Sequence, residues 1–236
     1  LSKNKKVVLI TGNSLRHRYI QNLLIKSKKL NLALVIQEEE KKNYKNNLSK
    51  IQKKHFKLRD YYEKFFFKKY NKIKFKKDQI ISIKPKSLKK NNKILKLLKK
   101  IEPDIILCFG CSVIGEKYIK IFNNKILNIH LGLSPFYRGQ ATNFWAFVNN
   151  ELHFIGATFH KIDTGIDTGP IIHQIRGRIY KHDNIHLIGN RLIKDLKLNL
   201  IKILLNFENL ETIQKKNNKS KYFLSNDFND ESINKL

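Results

Sequence analysis

The chain has 236 residues, 41% of them hydrophobic, and a formal net charge of +29. That suffices for one α/β domain with a substantial core, excludes a disordered polymer, and leaves no apolar run near the ~20 residues a membrane helix needs. Only seven of the 48 basic residues are Arg, and Lys is spread along the whole chain beside abundant Asn and Ile. Such a charge reads as a solvated surface that also steers anionic substrates. A nucleic-acid partner is disfavoured, and a Lys-rich RNA-binding protein stands as the alternative from a different class.

In chain order, Lys6–Thr11 is a short buried strand, and its apolar run VVLI is too short for a signal peptide. A cytoplasmic location is therefore expected. The chain starts at Leu1 and contains no Met, which leaves the completeness of its N-terminus open. Gly12-Asn13 ends the strand, and Ser14 can cap a helix over 15–28. A second strand is expected at 32–37. Residues 38–78, rich in Lys and aromatics and without Gly or Pro, read as an insert with a helix over about 48–70. A third strand follows at 80–83. The amphipathic helix 86–101 is stopped by Pro103. Ile105–Phe109 is a buried strand, 115–122 a short helix, and Ile126–His130 a strand. A Gly/Pro loop leads to a helix at 142–149, strands at 154–162 and 170–178, and one long helix over 184–210. The domain so defined runs over 1–214, with a polar, loosely held tail at 215–236.

Strands alternating with helices predict an α/β fold with a doubly wound, mostly parallel sheet, in a single domain with a helical insert. Ligands of such sheets bind outside the carboxyl ends of the strands. Cys108 and Cys111 form a C-x-x-C, but no further Cys exists to complete a zinc site, and Cys108 still belongs to a strand. No metal is expected.

Nine of the ten glycines lie between Gly110 and Gly189. They surround Asn128, His130 and Asp167. Asn128 and His130 are two apart, so an extended strand puts both on one face. An amide and an imidazole side by side can donate to one oxygen that gains negative charge. A carboxylate at Asp167 can hold a water, accept a proton or raise the pKa of a nearby His. Ser134 lacks a nucleophile turn, which favours direct transfer of an acyl group over a covalent intermediate. A row of His55, Arg59 and Glu63 at i, i+4, i+8 reads as a surface ladder, or as part of an acceptor-binding insert.

The segments NIHLGLSPFYRG and GATFHKIDTGIDTGPII together resemble the folate-dependent formyltransferase family, whose members act on glycinamide ribonucleotide, methionyl-tRNA or amino sugars. The likeness covers about residues 104–178. It implies a Rossmann-like fold, 10-formyltetrahydrofolate as formyl donor, and Asn128, His130 and Asp167 as catalytic trio, with His160 in the same signature. It further implies a folate pterin against Val113 and Ile114 and against Asp163, Thr164 and Gly165. Gly12, Asn13, Ser14, Arg16 and Arg18 then become the expected hold on a phosphate-bearing acceptor. A small nucleotide-linked amino sugar is the preferred acceptor. Glycinamide ribonucleotide and methionyl-tRNA are alternatives, the latter disfavoured because about 70 residues follow Asp167. A homodimer is left open.

Overall fold

The computed structural model describes residues 4–39, 48–214 and 219–236. Its main sheet contains β1 (Lys5–Thr11), β2 (Leu30–Glu38), β3 (Ile80–Ile83), β4 (Ile105–Phe109), β5 (Ile126–His130), β7 (Gly156–Lys161) and β8 (Ile171–Arg176). The order across it is β3-β2-β1-β4-β5-β7-β8. The first five strands run parallel; β7 is antiparallel to β5, and β8 is antiparallel to β7. The mostly parallel, doubly wound sheet expected from the sequence is therefore present.

Both faces of this sheet are covered, which is why its strands read as unbroken apolar runs. Alternate residues serve different cores. Val7, Leu9, Leu107, Leu127 and Ile129 pack with Tyr19 and Leu24 of α1 (Leu15–Lys26). Leu192 of α6 (Ile185–Asp195) and Leu200 of α7 (Lys197–Asn206) join the same core. Val8, Ile10, Ile106, Cys108 and Ile126 pack on the other face with Leu95 and Leu98 of α3 (Asn92–Ile101) and Tyr118 of α4 (Glu116–Ile121). Asn128 and His130 follow Ile126 in the period of two, so they share this second face.

The expected single helix over 184–210 is two helices. At their junction the Tyr19 hydroxyl donates to the Lys194 carbonyl at 2.9 Å, giving that carbonyl a partner outside the helix. The insert contributes α2 (Lys50–Phe67), with residues 40–47 outside the described ones. Ser49 caps α2 by accepting from the Gln52 amide. Within the expected His55–Arg59–Glu63 row, Glu63, 4% exposed, takes Arg16 of α1 at 2.8 Å, and Arg59 bonds Asp60 at 2.8 Å.

The tail also departs from expectation. Residues 219–236 are docked, not loosely held. They supply β9 (Lys221–Phe223), which pairs in parallel with a short strand β6 (Tyr137–Gly139) inside the Gly/Pro loop. They also supply α8 (Asp230–Asn234). Ile233 of α8 is buried beside Phe144 and Trp145 of α5 (Thr142–Val148). Ser49 donates to Asp230 at 2.5 Å, tying the tail to the insert.

Candidate active site

β5 delivers Asn128 and His130 to the second face, and the antiparallel partner β7 sets His160 directly opposite Asn128. The loop from β7 to β8 then crosses back. Asp167 sits in it with φ of +52°, a left-handed conformation that Asp tolerates better than most residues, and its carboxylate meets β5. Its Oδ2 lies 3.4 Å from His130 Nδ1 and accepts the Gly139 amide at 3.0 Å. Its Oδ1 lies 3.5 Å from His160 Nε2 and 3.4 Å from the Asn128 amide nitrogen. Asn128 and His130, two apart on β5, thus form one cluster with the distant Asp167, and His160 is its fourth member.

The hydrogen bonds fix the protons. His160 Nδ1 faces the Lys161 carbonyl at 2.8 Å and must donate to it. Its Nε2 lies 3.0 Å from the Asn128 amide nitrogen and accepts from it while the ring is neutral. His130 Nε2 faces the Tyr137 carbonyl at 2.9 Å, so it carries a proton. Burial holds the His130 pKa below its ordinary value, with Asp167 and the Tyr137 carbonyl pulling the other way. The ring is therefore neutral at pH 7, with an unprotonated Nδ1 beside a carboxylate. Burial also works against ionisation of Asp167, but His130, His160 and the Gly139 amide outweigh it and bring its pKa down to about 2. The two shifts are consistent: on acidification His130 takes its proton first, and the resulting imidazolium holds Asp167 ionised. A proton arriving at Nδ1 is thus received by a base whose charged form is stabilised at 3.4 Å.

The expected folate contacts are mixed. Val113 is half exposed beyond the end of β4, whereas Ile114 is 6% exposed and belongs to the second core. Thr164 and Gly165 are exposed. Asp163 is spent inside its own loop, accepting from the Gly165 amide at 3.1 Å and the Thr168 hydroxyl at 2.7 Å.

The expected phosphate turn is filled by the protein itself. His17 is buried between Gly12 and Gly110, at the point where the strand order reverses between β1 and β4. A Cβ on Gly12 would meet its ring at 2.6 Å and one on Gly110 at 2.3 Å. The Ser14 amide donates to His17 Nδ1 at 3.1 Å. Burial drives the His17 pKa well below its usual value, helped by Arg16 and Arg59. Arg16 is held by Glu63, and Arg18 bonds Asn13 and Asn71. These side chains have protein partners and do not present a ready anion site. Glu38 is likewise committed, accepting from the amides of Lys86 and Ser112.

Sequence reasoning placed His160 in the signature but not in the site. Its pairing with Asn128 depends on the β5–β7 register. The Tyr137 carbonyl and the Gly139 amide are backbone groups, for which side-chain chemistry gives no signal.

The Formyl transferase family model matches residues 4–204. Methionyl-tRNA formyltransferase of Thermodesulfovibrio yellowstonii is 34% identical over 110 residues, covering 46% of this chain and 35% of that protein. The chain thus spans well under two thirds of such relatives. Among solved structures, phosphoribosylglycinamide formyltransferase from Anaplasma phagocytophilum superposes with a TM-score of 0.64 at 16% identity, covering 94% of this chain and all of that one. The formyltransferase PseJ from Anoxybacillus kamchatkensis, in complex with a UDP-linked formamido sugar and tetrahydrofolate, gives 0.58 at 18% identity, covering 98% and 97%. The chain belongs to the formyl transferase family.

Proposed function

We propose that this formyl transferase family member moves the formyl group of 10-formyltetrahydrofolate to the amine of a small acceptor, an amino sugar carried on a nucleotide. The observation that supports it is the neutral His130 Nδ1 facing ionised Asp167, with the Asn128 amide alongside. The acceptor amine attacks the formyl carbon, and the carbonyl oxygen becomes an oxyanion. Asn128 holds one amide hydrogen only through the 3.4 Å contact with Asp167, so that hydrogen is the one to turn toward the oxyanion. The amine proton passes to His130 Nδ1, where Asp167 stabilises the imidazolium. Collapse breaks the bond from carbon to N10, and N10 takes the proton back from His130. The products are the formamide and tetrahydrofolate. Val113 and the backbone of 163–165 flank the pterin.

The choice of acceptor rests on the filled turn at Gly12–Ser14. The single phosphate of glycinamide ribonucleotide would meet the His17 ring in that turn, whereas a nucleotide-linked sugar can hold its phosphates away from it. Methionyl-tRNA is the second reading. The curated relative of that name favours it, as does α2, where exposed Tyr61 and Phe65 stand among lysines.

The deciding experiment supplies 10-formyltetrahydrofolate with a nucleotide-linked amino sugar, glycinamide ribonucleotide or methionyl-tRNA, and follows tetrahydrofolate release. The amino sugar is expected to turn over fastest. Absence of turnover with every amine, together with absence of folate binding, sinks the proposal.

A further inference from the structure

The two catalytic side chains that handle the proton are both held by β6. His130 Nε2 rests on the Tyr137 carbonyl at 2.9 Å, and Asp167 accepts the Gly139 amide at 3.0 Å. Among the described residues, the strand paired with β6 is β9, from the C-terminal segment. The Lys221 amide donates to the Phe136 carbonyl at 2.8 Å, and the Gln140 amide donates to the Phe223 carbonyl at 2.9 Å, so β9 grips β6 at both ends.

Side chains reinforce the grip. The Phe223 ring stacks on Trp145 at 4.4 Å and 7°, and on Tyr137 at 5.9 Å and 12°. Lys221 binds Glu151 at 2.7 Å, and Glu151 also accepts the Tyr137 hydroxyl. Arg138 donates to the Ser220 hydroxyl at 2.7 Å. Gly139, at φ +91°, lies so close to β9 that a Cβ there would sit 2.1 Å from the Phe223 carbonyl oxygen. The glycine of the Tyr-Arg-Gly turn is thus required by the approach of the tail.

We infer that Lys221 and Phe223 are positioning residues for His130 and Asp167, acting through Tyr137 and Gly139, so that the C-terminal segment completes the catalytic geometry. The inference rests on the proposed formyl transfer. Neither residue touches the reacting atoms. A displacement of β6 moves the Tyr137 carbonyl and the Gly139 amide together, and a shift of about 1 Å in such groups costs a rate factor on the order of 100.

The test uses the full chain. Phe223→Ala removes the ring from the stack, and Phe223→Tyr retains it. Ile203→Ala, in the first core and outside the cluster that contains Tyr137 of β6, serves as a control for lost stability alone. Phe223→Ala is expected to lower kcat about 10- to 100-fold, with KM for the folate donor changed by less than about threefold. The 15N-histidine spectrum at pH 7.5 should lose the His130 Nε2–H signal fixed on the Tyr137 carbonyl. Phe223→Tyr should restore both, and Ile203→Ala should lower Tm while leaving both intact. Should Phe223→Ala not fold, Lys221→Ala decides, its side chain being 41% exposed: the same changes are expected at a few-fold level, with rescue by Lys221→Arg. Wild-type kcat and an unaltered His130 spectrum in the folded variants would show the tail to be structural only and overturn the inference. A wild-type protein that formylates no amine refutes the proposed function instead, and the histidine spectrum then decides the inference alone.

Discussion

Replacing Asp167 with Asn keeps the shape of the side chain and removes its charge. The magnitude follows from the site. The carboxyl pKa falls from its ordinary 3.8 to about 2, so the ionised form is favoured in the fold by about 2 kcal/mol. A depressed carboxyl contributes stability that is fully present above its unfolded pKa and is lost as pH falls through the folded one. Asp167→Asn should therefore cost at most about 2 kcal/mol above pH 4, and less than that at pH 7, where neutral His130 no longer pairs with the anion. The deficit against wild type should close as pH drops from about 4 to about 2. His130, whose pKa is held low by burial, adds a separate loss below pH 6.5 because the unfolded chain takes that proton more readily. On the rate, loss of the anion beside Nδ1 removes the stabilised imidazolium and should cut kcat about 100- to 10,000-fold with little change in donor KM. Urea unfolding at pH 7 and pH 3, together with tetrahydrofolate release, measures both. A variant with wild-type unfolding free energy at pH 7 and wild-type turnover would refute the electrostatic account.

Other consequences are open to the same assays. Gly110→Ala places a Cβ 2.3 Å from His17 at a φ of +61°, and should cost about 1–3 kcal/mol in urea unfolding. Adding His17→Ala should recover part of that loss, and failure to do so would disprove the plug. Glu63→Gln leaves Arg16 without its charged partner and should destabilise by about 1–3 kcal/mol, seen as a lower urea midpoint at unchanged slope. His55 and His186 lie 4.7 Å apart between α2 and α6, and burial lowers both pKa values to about 4. Stability should therefore decline as pH falls from about 6.5 to about 4. His55→Gln should make that decline shallower in pH-dependent melts.

Much of this protein is written in local patterns. Periods of two put Asn128 and His130 on one face, and β1 and β4 announced themselves as doubly buried runs. The expected insert helix came within a few residues of α2, because a Ser49 cap and apolar spacing are local signals. What local patterns do not show is long-range. Arg16 and Arg18, expected at an acceptor phosphate, also have protein partners, Glu63 and Asn71, that lie 47 and 53 residues away. Ile114, expected beside the folate, has a side chain buried in one cluster with residues of α3 and α4. The tail read as loose because it is polar, and only docking shows that Phe223 and Phe228 find Trp145 and Phe144.

The sequence by itself determined the strands of the main sheet, the sheet class and the side chains able to do acyl chemistry, since these depend on residue type and short spacing. Tertiary structure alone decided their electrical state. The β5–β7 register brought His160 to Asn128, the crossing loop brought Asp167 to His130, and β6, held by β9, fixed which nitrogen of His130 carries the proton. Protonation follows burial and contacts between segments far apart in the chain, and those exist only once it is folded.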